Sequence, residues 1–359
     1  MIQQKRLVNT FINLVKIDSP SGHEQEISAY LKDKLNELGG KAITDDYGNI
    51  IGKFAGVGRP IILNAHMDTV EPGKGVKPKM KGDKIVSDGT TVLGGDDKAG
   101  IAIILEVLAS LKDEIITHRP IEVIFTRQEE SNLLGAKNLD YSKITAGSGL
   151  TFDGEAGVER IDIASPSYIK VDILIHGRSA HAGLEPEKGI SAIQISGHII
   201  SRLKLGRIDS ETTCNIGLIS GGTVRNAVPD FVHIKGEIRS RNPESLKKHI
   251  SHFKEVLEKI QSKYPEAKIE SEIVKEIEGY LLTENHHMIL HVSRILKQMN
   301  LKPIYHHSGG LTAINIFHSH NIEIINIGTG DYLPHTKQEY VVISQMLQAA
   351  EFCEKAVTV

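Results

Sequence analysis

The stretch IILNAHMDTVEPG, residues 61–73, begins as a short apolar run and ends it with an imidazole and a carboxylate, His66 and Asp68. An apolar run of this length, followed by turn-forming residues, reads as a buried strand. Residues 99–111 then carry Ile101, Ile104, Leu105 and Leu108 at helical spacing, and a second apolar run, IEVIF, covers 121–125. Strand, helix, strand predicts a βαβ unit and hence a parallel sheet. Packing alone gives no reason to close the first strand with two polar groups, because burying them is costly unless they are paired. In open α/β sheets, ligands bind beyond the carboxyl ends of the strands. His66 and Asp68 are therefore the first functional candidates.

Working outward, residues 24–38 put Ile27, Leu31, Leu35 and Leu38 on one helical face, stopped by Gly39-Gly40. Near residue 164 the pattern changes. Ile169, Val171, Ile173 and Ile175 alternate with polar neighbours, the period of a half-buried strand. A helix over 188–203, strands at 212–219 and 229–239, a helix over 244–262 and a strand at 268–274 complete a βαββαβ order, the ferredoxin-like arrangement. From about 282 the α/β character resumes with a helix (288–299), a strand (323–327) and a helix (341–355). The expected fold is α/β: a mostly parallel, doubly wound sheet in a domain of two parts, 1–163 and 281–359. An inserted ferredoxin-like α+β domain is expected over 164–280.

The 359 residues carry a formal net charge of -3, with lysines and arginines dispersed. That distribution lacks the basic footprint of a nucleic-acid partner. No run approaches the roughly 18 apolar residues of a membrane span. Only Cys214 and Cys353 occur, and MIQQKRLVNTFINLVK mixes charges into a helical pattern rather than a continuous apolar segment. Both features point to a cytoplasmic location.

Further acids and imidazoles fall at places equivalent to His66. Asp96 and Asp97 precede a helix, Glu129 and Glu130 follow IEVIFTRQ, Asp153 follows GLTF, and His335 follows IINIGTGDYLP. Taken singly, each has an ordinary reading as a helix cap, a dipole partner or a solvated loop residue. Taken together at strand ends, the carboxylates would repel one another and resist ionisation unless cations neutralise them. Two divalent ions balance three ligand carboxylates and one hydroxide, and such pairs clamp an oxygen nucleophile between metals about 3.5–4 Å apart.

The motifs HMD (66–68), GGDDKAG (94–100), EE (129–130), FDGE (152–155) and the late histidine of LPHTKQEY (333–340) resemble the dinuclear zinc peptidases that include peptidase T, glutamate carboxypeptidase and the acylamino acid deacylases. The likeness runs in order through nearly the whole chain. It implies His66 and Asp153 as terminal ligands of one metal, Glu130 and His335 of the other, and Asp96 as the bridge. It implies that Asp68 orients His66, as carboxylates behind metal-bound imidazoles do, and that Glu129 is the general base for a metal-bridging hydroxide. A cis peptide bond after Asp96 belongs to the same pattern. Two imidazoles among carboxylates suit Zn²⁺, and Co²⁺ or Mn²⁺ also fit.

In the insert, GRSAHAGLEPEKGISAI (177–193) resembles the lid motif of the family, in which His181 would reach the substrate. Asn226 and Arg239 fall where the family places an amide and a guanidinium for substrate, the latter suited to a carboxylate. One stretch departs from the pattern: SGGLTAIN (308–315) has Leu311 and Thr312 where the family carries a polar residue and an Asp. The resemblance thus implies a metal-dependent exopeptidase acting on short peptides, of the tripeptide aminopeptidase type, with Asp153 favouring that branch. A homodimer through the lid domain is expected with it. The alternative is an N-acyl amino acid deacylase or carboxypeptidase using the same centre. A non-catalytic binding protein has no need of a general base at Glu129, and a dinuclear phosphoesterase is the remaining reading.

Overall fold

A computed structural model describes all 359 residues. The chain forms two compact units, Met1–Ile163 with Leu282–Val359, and Ala164–Leu281.

The first unit is built on a large sheet whose centre is parallel. Strands Ile121–Thr126, Ile61–His66, Ser148–Glu155 and Glu323–Tyr332 lie side by side in that order, each parallel to the next. The flanks are antiparallel: Ile50–Phe54 and Lys41–Thr44 on one side, Tyr340–Val342, Lys84–Val86 and Lys79–Lys81 on the other. The sheet is therefore mixed, with the doubly wound character confined to its middle. Short connections suffice for antiparallel neighbours, whereas the central strands need helical crossovers. From Ile61–His66 the chain crosses to Ile121–Thr126 on one side, and from Ser148–Glu155 it crosses to Glu323–Tyr332 on the other. The order reverses between the strands that end in His66 and Asp153, which is where such sheets open a binding crevice.

The Gly95–Asp113 helix is buried along almost its whole length, including Ile101, Ile103, Ile104, Val107 and Leu108. It lies on the sheet and is covered by the Gln4–Val15 and Ile343–Val357 helices, so its apolar residues encircle it instead of forming one stripe. Gly100 lets this helix approach the sheet. A Cβ there would stand 2.0 Å from the Phe152 carbonyl oxygen and 2.4 Å from Asp97 Oδ1.

The second unit is a five-stranded antiparallel sheet in the order Gly206–Arg207, Thr212–Gly221, Phe231–Ser240, Ser167–His176, Lys268–Ile277. Its four long strands have the ferredoxin-like order. Ile169, Val171, Ile173 and Ile175 are buried in one core with Ile195 and Ile199 of the Ala192–Ile200 helix and Phe253, Leu257 and Ile260 of the Pro243–Lys263 helix. The first helix is shorter than its periodicity predicts, because Ser191 caps it by accepting from Gln194 N and a short 3₁₀ turn, Pro186–Lys188, precedes it.

Gly100→Ala is expected to destabilise the protein. The gain in helix propensity is about 1 kcal/mol, and overpacking against fixed backbone costs about 3 kcal/mol. Thermal melting checks this, with a lowered Tm as the expected result.

Candidate metal centre

Every predicted residue in the first unit except Asp96 arrives from the carboxyl end of a central strand or from the turn beyond it. His66 is the last residue of Ile61–His66, and Asp153 lies in Ser148–Glu155. Glu129 and Glu130 follow Ile121–Thr126 through Gln128, which adopts a positive φ of 49°. His335, also at positive φ, follows Glu323–Tyr332. Asp96 and Asp97 open the long buried helix with non-helical backbone, after Gly94 in the left-handed region, and the peptide bond between them is cis. Asp97 is not a bystander. Its carboxylate accepts from the N–H of His66 (3.0 Å) and of Gly100 (3.2 Å), tying the helix start to the strand end.

The side chains converge on Asp96. Its Oδ1 is 2.8 Å from His66 Nε2, and its Oδ2 is 3.3 Å from His335 Nε2. His66 Nε2 also stands 3.7 Å from Asp153 Oδ1, and His335 Nε2 stands 2.7 Å from Glu130 Oε1. Donor atoms of His66, Asp96 and Asp153 lie within 4.8 Å of one another, as do those of Asp96, Glu130 and His335. Asp68, fully buried, puts Oδ1 3.3 Å from His66 Nδ1. It also accepts from the N–H of Glu129 (2.9 Å) and Glu130 (3.2 Å) and from Ser21 Oγ (2.6 Å). One carboxylate thus stands beside an imidazole and shapes the turn that carries both glutamates.

The charges do not balance among these side chains alone. Burial pushes the Glu129, Asp97 and Asp153 carboxyls well above their usual range, and neighbouring carboxylates push them further. For Asp96, burial is outweighed by hydrogen bonds from His335 and His66, which hold it below the usual range. Hydrogen bonds to Asp96 and Glu130 raise His335 to about 11. Burial opposes a charge on His66, yet Asp68 and Asp96 raise it well above 6.5. Divalent cations beside these groups would favour their ionised forms. Nitrogen and oxygen donors in two trios sharing one carboxylate fit a pair of divalent ions.

Comparison with known proteins accords with this geometry. Residues 163–265 match the family described as peptidase dimerisation domain, and residues 49–152 match peptidase family M28. The chain is 38% identical to the aminopeptidase PepT from Bacillus cereus ATCC 10987, whose crystal structure superposes with a TM-score of 0.90 over 99% of this chain and 98% of that one. It is 34% identical to a tripeptidase from Staphylococcus aureus, with a TM-score of 0.93 over 99% and 98%. The uncharacterized protein YqjE of Bacillus subtilis strain 168 is 40% identical over 361 residues, 98% of this chain and 97% of that one. The chain belongs to the dinuclear zinc peptidase family. Its relatives place it in the peptidase T-like branch, and it is a hydrolase of peptide bonds.

The remaining predicted residues of this peptidase lie in the second unit. His181 Nδ1 accepts from the N–H of Gly183 (3.2 Å) and Leu184 (3.1 Å), and Ala182 N–H donates to the Asn226 carbonyl at 2.9 Å. The two residues are thereby neighbours. The Arg239 guanidinium forks onto Glu237 at 2.9 and 3.0 Å and lies over the Tyr168 ring. In the departing stretch of the first unit, Thr312 caps the Ala313–Ser319 helix in a reciprocal box with Asn315.

Sequence reading missed the carboxylates that hold the backbone around the site. Glu339 is buried and accepts from the N–H of Leu93 (2.6 Å), Gly94 (2.8 Å) and Asp96 (3.1 Å), fixing the loop that presents the bridging carboxylate. Glu24 accepts from the N–H of Gly22 and Gln128 and pairs with Arg127. Asn326 brackets the backbone of Asp153, accepting from its N–H and donating to its carbonyl, both at 3.2 Å. Glu339 stands within LPHTKQEY, four residues beyond His335, but a partner more than two hundred residues away in sequence leaves no local signal.

Glu339→Ala is expected to leave a folded peptidase whose affinity for divalent metal falls about 10–100-fold, the usual effect of losing support behind the ligands. Chelator competition checks this, with circular dichroism confirming the fold.

Proposed function

We propose that this chain is a tripeptide aminopeptidase that releases the amino-terminal residue of short peptides in the cytoplasm and acts as a homodimer through the Ala164–Leu281 unit. The observation that carries the reading is the position of Asp96, whose two oxygens face two separate donor sets. His66 and Asp153 would hold one cation, Glu130 and His335 the other, and Asp96 both, with Zn²⁺ suiting the mixed imidazole and carboxylate donors. When bound, such a pair polarises an amide carbonyl and lowers the pKa of water.

The chain's own groups do the rest. Glu129, whose carboxyl burial pushes well above its usual range, takes the proton of the attacking water and returns it to the departing amine. Asp68 holds His66 and the Glu129–Glu130 turn in register. In the neutral His181 ring, Nδ1 is engaged as an acceptor, so Nε2–H is left to donate to a substrate oxygen. Asn226 and Arg239 would add an amide and a guanidinium for the peptide backbone and carboxylate, Arg239 exchanging Glu237 for substrate. The relatives described as an aminopeptidase and a tripeptidase support the aminopeptidase direction, as does the family match to a dimerisation domain for the homodimer.

Zinc-loaded protein is expected to cleave a free-amine tripeptide and to leave its N-acetyl counterpart intact when both are followed by chromatography. Cleavage of the blocked peptide alone would replace this reading with that of a deacylase. Glu129→Gln is expected to retain its metal by elemental analysis and to lose about 10²–10⁴-fold in kcat. Near-normal turnover in that variant would remove Glu129 from proton transfer.

A further inference from the structure

We propose a separate cation site in the first unit, formed by His286, His287 and Glu323, that takes a borderline divalent transition ion such as Zn²⁺. His286 precedes the His287–Gln298 helix, and Glu323 is the first residue of the Glu323–Tyr332 strand. The dinuclear centre lies further along that strand, where Asn326 brackets the Asp153 backbone, and beyond it, where His335 follows Tyr332.

The three donors already stand at ligand spacing. His286 Nε2 is 3.4 Å from Glu323 Oε1, His287 Nε2 is 3.1 Å from Glu323 Oε2, and one donor atom from each residue lies within 4.8 Å of the others. Tetrahedral bonds of 2.0–2.1 Å separate donors by about 3.3 Å. The imidazole–carboxylate distances of the catalytic trios run from 2.7 to 3.7 Å, and those of this trio fall in the same range. Glu323 sits on a rigid base, its N–H bonded to the Gly147 carbonyl at 3.0 Å and its Cα in parallel register with Ser148.

Two features set the strength of the site. The helix amino terminus works weakly against any cation, which the Glu323 carboxylate offsets. His286 Nδ1 accepts from Met288 N at 3.4 Å. Coordination through Nε2 moves the ring proton to Nδ1 and ends this long bond, which is a small loss. Half of the His287 side chain or more faces solvent, so water fills the remaining positions and the ion exchanges more readily than those of the buried centre. Two imidazoles and one carboxylate select Zn²⁺-like ions over the hard cations that prefer all-oxygen shells. Once bound, the ion adds a link between the first turn of the helix and the sheet to the two His–Glu contacts already there.

The full-length protein is equilibrated at micromolar free Zn²⁺, and bound metal is counted by elemental analysis beside His287→Ala and Glu323→Gln. Each variant is expected to hold one zinc fewer than wild type, with unchanged tripeptide hydrolysis. The zinc-dependent rise in Tm between submicromolar and micromolar free metal should shrink in both. Equal metal content in wild type and variants overturns the proposal. Because the readout is a difference, it holds whatever number of ions the catalytic centre binds.

Discussion

The structure depends on a concentration of negative charge at one end of the parallel strands. Asp68, Asp96, Asp97, Glu129, Glu130 and Asp153 meet there with only His66 and His335 as close cationic partners. Most of them are removed from water, where like charges repel without screening. Burial and mutual repulsion push the Glu129 and Asp153 carboxyls up, and hydrogen bonds to carboxylates push His335 up. Divalent cations would relieve this, and the placement of Asp96 between two imidazoles marks where they would sit.

The scaffold keeps that arrangement from spreading apart. The reversal of strand order between Ile61–His66 and Ser148–Glu155 opens the crevice. The cost of gathering ligands is met by backbone hydrogen bonds far from it in sequence, through Asp68, Asp97, Glu24, Asn326 and Glu339. These residues accept main-chain N–H groups that a turn would otherwise leave unpaired, so they stabilise the fold and hold the ligands with the same bonds. Gly100 belongs to this set as well, since its missing side chain lets the Asp96-bearing helix meet the strand of Asp153.

Much of this is legible in the chain. The central strands and the long buried helix declare themselves through short apolar runs and a fully apolar helical pattern, and alternation over 169–175 marks the second unit. The ligand candidates stand out because polar residues directly after buried strands lack a packing purpose. The outer antiparallel strands are not legible: KMK (79–81) and KIV (84–86) carry too few apolar residues to show a strand period, and only pairing makes them strands, KIV with Tyr340–Val342 and KMK with KIV. Glu339 and Asn326 escaped for a different reason. Their partners are backbone groups, which have no signature in sequence, and they lie far along the chain.

The most direct test is anomalous diffraction at the zinc absorption edge from crystals of the zinc-loaded protein. Two peaks about 3.5–4 Å apart at the ends of the central strands, with one Asp96 oxygen on each, are the predicted result, apart from the peak expected at His286, His287 and Glu323. A single peak beside Asp96, or peaks there that Asp96 does not join, would contradict the paired-cation centre on which the catalytic account rests.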